Sequence, residues 1–400
     1  MLNTFPNLPL MRFGLWIVIV VVLTGTVLTQ TPTTPLIPRN FKPRPGLIRV
    51  ISELSLGRIF SHPNASADLV FDDSFAFIAT PDGLYRTPLP LSPQSSFKLI
   101  GFQNANIFRL YVHQGSLYVL KESVANAGDT AIDHSILRSD DHGSTFIPID
   151  GALQECGSGF CEYLAANQAM FVGRTIIVNA GFNNLLISDD DGASWTPLLG
   201  GFHRGLCAAQ PFEMIGHRMM VGGDCPLENG FIESGILSSN MSGWLQSPAL
   251  ADTPNMNLRS VFTIRGKPNS TDVYAGVYAG LLKSNDAGQS FRFVFVYPTI
   301  AASDPFVKTI FFPSRAPNVI VAAGRDSGRL FLAYSKDNGE TWLDISSAVQ
   351  PFVGAENSSS STSVDFIKED SHGNIFAGVV YNATKTFKLL QLNFNAAAYR

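Results

Sequence analysis

Five acids are candidates for paired work: Glu155, Glu162, Asp224, Glu228 and Glu233. Two carboxylates at a set separation perform glycoside hydrolysis, one giving a proton and the other attacking or activating water. Glu155 and Glu162 flank Cys156 and Cys161, and the other three cluster around Cys225. Asp129 and Asp133 form a further acidic pair. No local motif assigns them a role, and solvated loop acids are the ordinary case. His203-Arg204, Arg58 and Arg325 could meet an anionic group. The seven His are scattered without HxH or HxxxH spacing, so no metal site is expected. Asp189-Asp190-Asp191-Gly192 has the look of a calcium loop. In that register Ile187 would be the first ligand, and no Glu fills the twelfth position. No phosphate-binding Gly loop or nucleophile elbow occurs, and no cofactor is expected.

The remaining reactive residues speak to compartment. Cys156, Cys161, Cys207 and Cys225 lack zinc-ligand spacing, and four cysteines suit an oxidising compartment, with three possible pairings. Five N-x-[ST] sequons begin at Asn64, Asn240, Asn269, Asn357 and Asn382. Arg12 precedes an apolar run, Phe13 to Leu28, intermediate between a signal-peptide core and a full membrane span. Residues 1–30 are therefore expected to be a signal peptide or an N-terminal signal-anchor. Residues 31–46, with Pro at 32, 35, 38, 43 and 45, read as an extended stalk.

The body of the chain must position these groups. Of 400 residues, 45% are hydrophobic and 15% charged, with formal net charge −4. Soluble domains are about a quarter charged, so this chain buries a large core. With no basic excess, no nucleic-acid partner is expected. Thirty Phe and ten Tyr favour strands, and 34 Gly with 24 Pro imply many turns.

One pattern, S-x-D-x-G-x-[ST]-[FW], recurs four times. Its fixed positions are Ser139, Asp141, Gly143 and Phe146; Ser188, Asp190, Gly192 and Trp195; Ser284, Asp286, Gly288 and Phe291; Ser335, Asp337, Gly339 and Trp342. The starts lie 49, 96 and 51 residues apart, so the long gap holds a worn copy, near Ile236 to Trp244. Gly83-Leu84-Tyr85-Arg86-Thr87 marks an earlier unit and Asn374 to Leu390 a last one. Seven units result, each reading as short apolar strands separated by Gly/Asp/Asn turns. Gly permits the positive φ of a tight turn, and the Asp carboxylate can accept N–H groups within it. The expected fold is all-β: a seven-bladed β-propeller of four-stranded antiparallel blades over residues 47–400. Six blades plus a terminal cap is the alternative. The first strand, around Leu47 to Leu54, is expected to pair with the last unit and close the ring.

The repeated motif resembles the Asp-box, or BNR repeat, of sialidases, xyloglucanases, sortilin-type receptors and photosystem II assembly factors. The resemblance implies a β-propeller whose boxes lie on the periphery, away from any ligand site. It leaves function open, because one fold hosts many activities. The Phe/Tyr-Arg-Ile-Pro motif of sialidases has its nearest counterpart in Gly57-Arg58-Ile59-Phe60, without the Pro or the leading aromatic.

In a four-stranded blade, the second-to-third-strand turns and the links between blades share one face, opposite the box turns. The long turns Lys121 to Ser135 and Gly223 to Gly235, and all four cysteines, map to that loop face. The spatially cheap pairing is Cys156–Cys161 with Cys207–Cys225. The leading expectation is a non-catalytic module that binds a glycan or protein on the loop face, secreted or membrane-anchored, with the propeller on the luminal or extracellular side. The alternative is a glycoside hydrolase, xyloglucanase-like or sialidase-like, with paired carboxylates on that face.

Overall fold

The computed structural model describes residues 48–55, 67–121, 135–150, 154–157, 160–163, 166–180, 184–198, 211–223, 231–236, 242–246, 261–278, 280–296, 306–326, 329–353, 362–381 and 384–393. Among them are seven four-stranded antiparallel sheets. The chain opens with β1 (Ile48–Ser55). Blade 1 is β2 (Asp68–Phe71), β3 (Phe75–Thr80), β4 (Gly83–Pro88) and β5 (Lys98–Gly101). Blade 2 is β6 (Ile107–His113), β7 (Ser116–Lys121), β8 (Ile136–Ser139) and β9 (Ile147–Pro148). A hairpin, β10 (Gln154–Gly157) and β11 (Phe160–Tyr163), occupies the next link. Blade 3 is β12 (Ala166–Val172), β13 (Thr175–Ala180), β14 (Asn184–Ser188) and β15 (Thr196–Pro197). Blade 4 is β16 (Phe212–Ile215), β17 (Arg218–Gly223), β18 (Phe231–Ile236) and β19 (Ser242–Gln246). Blade 5 is β20 (Val261–Gly266), β21 (Val273–Val277), β22 (Gly280–Ser284) and β23 (Arg292–Val296). Blade 6 is β24 (Phe306–Phe311), β25 (Ile320–Asp326), β26 (Arg329–Ser335) and β27 (Leu343–Asp344). A short helix, α1 (Ser346–Val353), leads to blade 7, formed by β28 (Ser363–Glu369), β29 (Ile375–Tyr381) and β30 (Thr386–Leu392).

Blade 7 takes its fourth strand from β1, which pairs antiparallel with β30 from Ile48↔Leu392 to Ser55↔Thr386. The ring is thus a seven-bladed propeller closed by its two ends. The worn unit near 237 forms a full blade, although it lacks the box. The hairpin β10–β11 and helix α1 sit in links that the repeat pattern left as loops, since the repeat says nothing about inserted segments.

Strand composition follows position. Second strands such as β21 and β29 are buried along their whole length and read as unbroken apolar runs. Sheets covered on both faces require this. Three of the outer strands, β9, β15 and β27, are two residues long, which limits unpaired edge. The core is distributed: each of seven apolar clusters bridges one blade and the next.

The box turns brace those interfaces. In all four, the Ser Oγ donates to the Asp Oδ1 at 2.6–2.8 Å and accepts the Gly N–H at 2.8 Å. The Asp then accepts the N–H and hydroxyl of the following Ser or Thr. Those donors hold the Asp141 carboxyl well below the usual range, and Asp190 down to about 2. The residue before each Gly is left-handed, with φ between 57° and 60°. Each aromatic packs on the preceding blade: Phe146 on Phe102 at 4.9 Å, and Trp342 on Phe295 at 5.2 Å. Trp195 instead donates its indole N–H to the Ile149 carbonyl at 3.0 Å.

Candidate binding site at the channel mouth

The first strand of each blade lines the central channel. These strands run from the loop face toward the box face. A ring of side-chain contacts joins them. Asp365 Oδ2 accepts the Ala67 N–H at 2.8 Å, joining blade 7 to blade 1. Asp68 Oδ2 accepts the Leu110 N–H at 3.0 Å, and the Tyr111 hydroxyl accepts the Ala169 N–H at 2.9 Å. The Gln168 amide spans blades 3 and 4, accepting from Phe212 N at 3.2 Å and donating to Phe212 O at 2.7 Å. Arg265 pairs with Glu213 at 3.1 Å. Phe262 and Phe306 join blades 5 and 6, their ring centroids 4.7 Å apart. Lys308 Nζ meets Asp365 Oδ1 at 3.0 Å and closes the circuit.

The sheet ladder slips once near the start of the first strand in blades 2, 3, 5, 6 and 7, and in the last three the slip falls at a site residue. The register shifts fall between Val261 and Thr263, Val307 and Thr309, and Val364 and Phe366. The extra residues are Phe262, Lys308 and Asp365. A bulge re-aims the side chain it carries, which explains how a Lys and an Asp occupy an otherwise apolar strand. All three lie near the start of their strands, at the loop-face end. Arg325, toward the end of β25, shares that end and stands over the Phe306 ring at 5.0 Å.

Arg109, Arg265, Lys308, Arg325 and Lys368 stand with Asp68, Glu213 and Asp365 around this ring. Burial pushes the Lys308 amine below its usual range, with Arg109 and Arg325 pushing the same way and Asp365 opposing them. Burial raises the Glu213 carboxyl against the pull of Arg265. Burial also pushes the Tyr111 phenol up to about 12, so it stays neutral and keeps its hydrogen bond.

Among the described residues, the acids singled out from the sequence stand on other strands than those of this ring. Asp129, Asp133, Asp224 and Glu228, with His203, Arg204, Arg58, Cys207 and Cys225, lie outside the described residues. Glu155 and Glu162 are opposite each other on β10–β11, Cys156 is opposite Cys161, and Glu233 is on β18 opposite Val221. Of the arginines singled out from the sequence, Arg325 stands at the mouth. Asn269 lies in the exposed turn between β20 and β21 at φ 56°; Asn64, Asn240, Asn357 and Asn382 lie outside the described residues. Residues 1–46 also lie outside them, and among the described residues no helix is long and apolar enough to cross a membrane.

On the box face the fold gathers Asp72, Asp73 and His142, with ligand atoms within 4.8 Å. His142 Nδ1 meets Asp72 Oδ2 at 2.7 Å, while Asp72 Oδ1 accepts the Ser74 and Phe75 N–H groups. The arrangement is an ion-paired tie between blades 1 and 2, and Asp72 raises the His142 pKa.

The chain is a seven-bladed β-propeller, and solved propellers share its fold. YCF48 bound to D1 peptide aligns with a TM-score of 0.55 and 13% identity, over 90% of this chain and 100% of that one. YCF48 from Cyanidioschyzon merolae gives 0.55 and 12%, over 87% and 98%. The N-terminal domain of Nup159 gives 0.54 and 12%, over 90% and 98%. No family model and no curated protein matches the sequence.

Proposed function

We propose that this propeller is a non-catalytic binding module that holds a segment of a partner protein at the loop-face mouth of its channel. The observation that carries this reading is the cluster at the loop-face end of the inner strands, where Lys308 meets Asp365 at 3.0 Å and Arg325 stands over the Phe306 ring at 5.0 Å. The three described channel acids support a structural role for themselves: each is ion-paired, and Asp68 and Asp365 also accept backbone N–H groups of the next blade. A glycosidase needs one acid free to give a proton and another free to attack or to activate water. A structure of YCF48 holds a D1 peptide, which shows that a ring of this shape can serve as a peptide receptor in that protein.

Glycan binding remains the second ligand class for the same face. A luminal or extracellular address draws its support from the apolar run after Arg12, the five sequons and the four cysteines. Facing positions on β10–β11 support a Cys156–Cys161 bridge, because cross-strand neighbours lie within disulfide range.

The test is quantitative capture of partners by the intact protein and by an Arg109→Glu, Arg325→Glu variant of unchanged melting temperature. The expected result is a protein partner retained by the first and lost by the second. Equal capture by both, or hydrolysis of a glycoside by the wild type, overturns the reading.

A further inference from the structure

The hairpin β10–β11 is a two-stranded sheet that pairs with no other described strand. It stands in the link between the outer strand β9 and the channel strand β12. A two-stranded hairpin on its own is marginally stable in water. This one carries a further handicap, because Glu155 and Glu162 occupy directly opposite positions. Like charges at facing positions of an antiparallel pair repel and weaken it. The next facing pair is Cys156 and Cys161. The ladder therefore has little to hold it besides a bond between those two sulfurs. Such a bridge closes a short loop, so it constrains the unfolded chain less than a long-range bridge does. Its effect is local, on the hairpin rather than on the ring.

Bond and hairpin are thermodynamically linked. Whatever keeps the two thiols side by side in the reduced chain raises their effective concentration and protects the bridge. A hairpin that comes apart once reduced gives little of that protection. We propose that Cys156–Cys161 is a thiol–disulfide exchange site: a thiol reductant opens the bridge in the folded propeller, and the hairpin loses its order when it does. The proposal rests on the reading of this cysteine pair as a bridge. A thiolate of the reductant attacks one sulfur, the S–S bond breaks, and the other sulfur leaves as a thiolate and takes up a proton. A second reductant thiol then resolves the mixed disulfide. Both cysteines end as thiols and the reductant as its disulfide, with two electrons and two protons transferred. The blades need no change, because each is held by its own ladder and the ring is closed by β1 on β30.

The experiment holds the full chain in glutathione buffers of rising reducing strength, traps free thiols by alkylation and locates them by peptide mapping. Hydrogen exchange and tryptophan fluorescence are read on the same samples. Cys156 and Cys161 are expected to be alkylated while the fluorescence still reports a folded propeller. Amide protection should then be lost across Gln154–Gly157 and Phe160–Tyr163 and stay constant in β21 and β29. A Cys156→Ser, Cys161→Ser variant should show the same exchange pattern with no reductant present. Glu162→Lys turns the facing repulsion into an attraction, and should move the midpoint of opening about two- to fivefold toward more reducing buffer.

A non-reducing map without a Cys156–Cys161 peptide overturns the bridge and the proposal with it. A bridge that survives until the propeller unfolds overturns the exchange site and leaves the bridge standing. A hairpin that stays protected after opening, or in the double serine variant, overturns the link between bond and order. A midpoint unmoved by Glu162→Lys overturns the role given to the facing acids.

Discussion

Gly339 gives the sharpest test of how the box turns act. Its φ is 82°, and a Cβ built there would stand 3.0 Å from Tyr274 Cε1 and 3.2 Å from its hydroxyl. Tyr274 is fully buried in the preceding blade, its hydroxyl donating to the Asn338 carbonyl at 2.7 Å, so it cannot retreat. Gly339→Ala therefore incurs two costs. A left-handed alanine costs about 1–2 kcal/mol, and overpacking against the ring adds about 1–3 kcal/mol. Gly216 separates them, because its φ is 61° and nothing lies within 4 Å of its virtual Cβ. Gly216→Ala should thus cost about 1–2 kcal/mol, the conformational part alone. Urea unfolding followed by tryptophan fluorescence reads both, and Trp342 reports on the spot, since its indole donates to the Gly339 carbonyl at 3.0 Å. The comparison holds where the denaturant slopes of the variants agree. If Gly339→Ala costs no more than Gly216→Ala, the box does not brace one blade on the next, and its hydrogen bonds serve the turn alone.

Asp365→Asn keeps an acceptor for the Ala67 N–H but strands the buried Lys308 ammonium; a loss of about 3–5 kcal/mol is expected in unfolding experiments. Adding Lys308→Met should recover most of that loss, and a double-mutant cycle showing no coupling would contradict the pairing. Asp72 raises the folded His142 pKa, with Asp73 reinforcing and Arg86 opposing, so the fold favours the imidazolium. That stabilisation is complete below the unfolded value of about 6.5 and fades as pH rises through the folded value. The advantage of wild type over His142→Asn should therefore shrink between pH 5 and pH 8; a constant difference speaks against the tie. Peptide mapping under non-reducing conditions should recover Cys156 joined to Cys161, and a Cys156–Cys225 peptide would exclude the hairpin bridge.

The blades were legible because one unit repeats. Each box needs its Ser, Asp and Gly within five residues, so the chemistry of the turn is written locally. Strands such as Val273–Val277 follow from apolar runs between turns, and the closing strand follows from an unpaired first unit. The channel was not legible in the same way. Asp68, Arg109, Lys308 and Asp365 come from four blades, one residue each, with no shared local pattern. Attention to long loops led to Asp224 and Glu228, which lie outside the described residues. A usable signal did exist: a lone charged residue in an apolar first strand, as in Phe306-Val307-Lys308-Thr309-Ile310. Burying such a charge is costly unless something answers it, so each one marks a neighbour across the ring. His142 and Asp72 were hidden for the same reason, since only the blade-to-blade turn geometry brings them together.

The pairing of β1 with β30 sets the order in which this molecule can be completed. The strand that leaves the ribosome first is the outermost strand of the blade that leaves last. Blades 1 to 6 can pack as they emerge, but the ring stays a horseshoe until β30 arrives, with β1 held in waiting. During that interval β30 and β1 are complementary edges on opposite ends of one chain, and equally on two chains. At high concentration a nascent or nicked molecule can lend its β1 to a neighbour, giving linked dimers whose blades are all intact. In the finished ring the same fastener makes the segment before Ile48 a handle on blade 7. Pulling there would unseat a single strand and open the propeller, where pulling on an internal loop would have to break a whole blade.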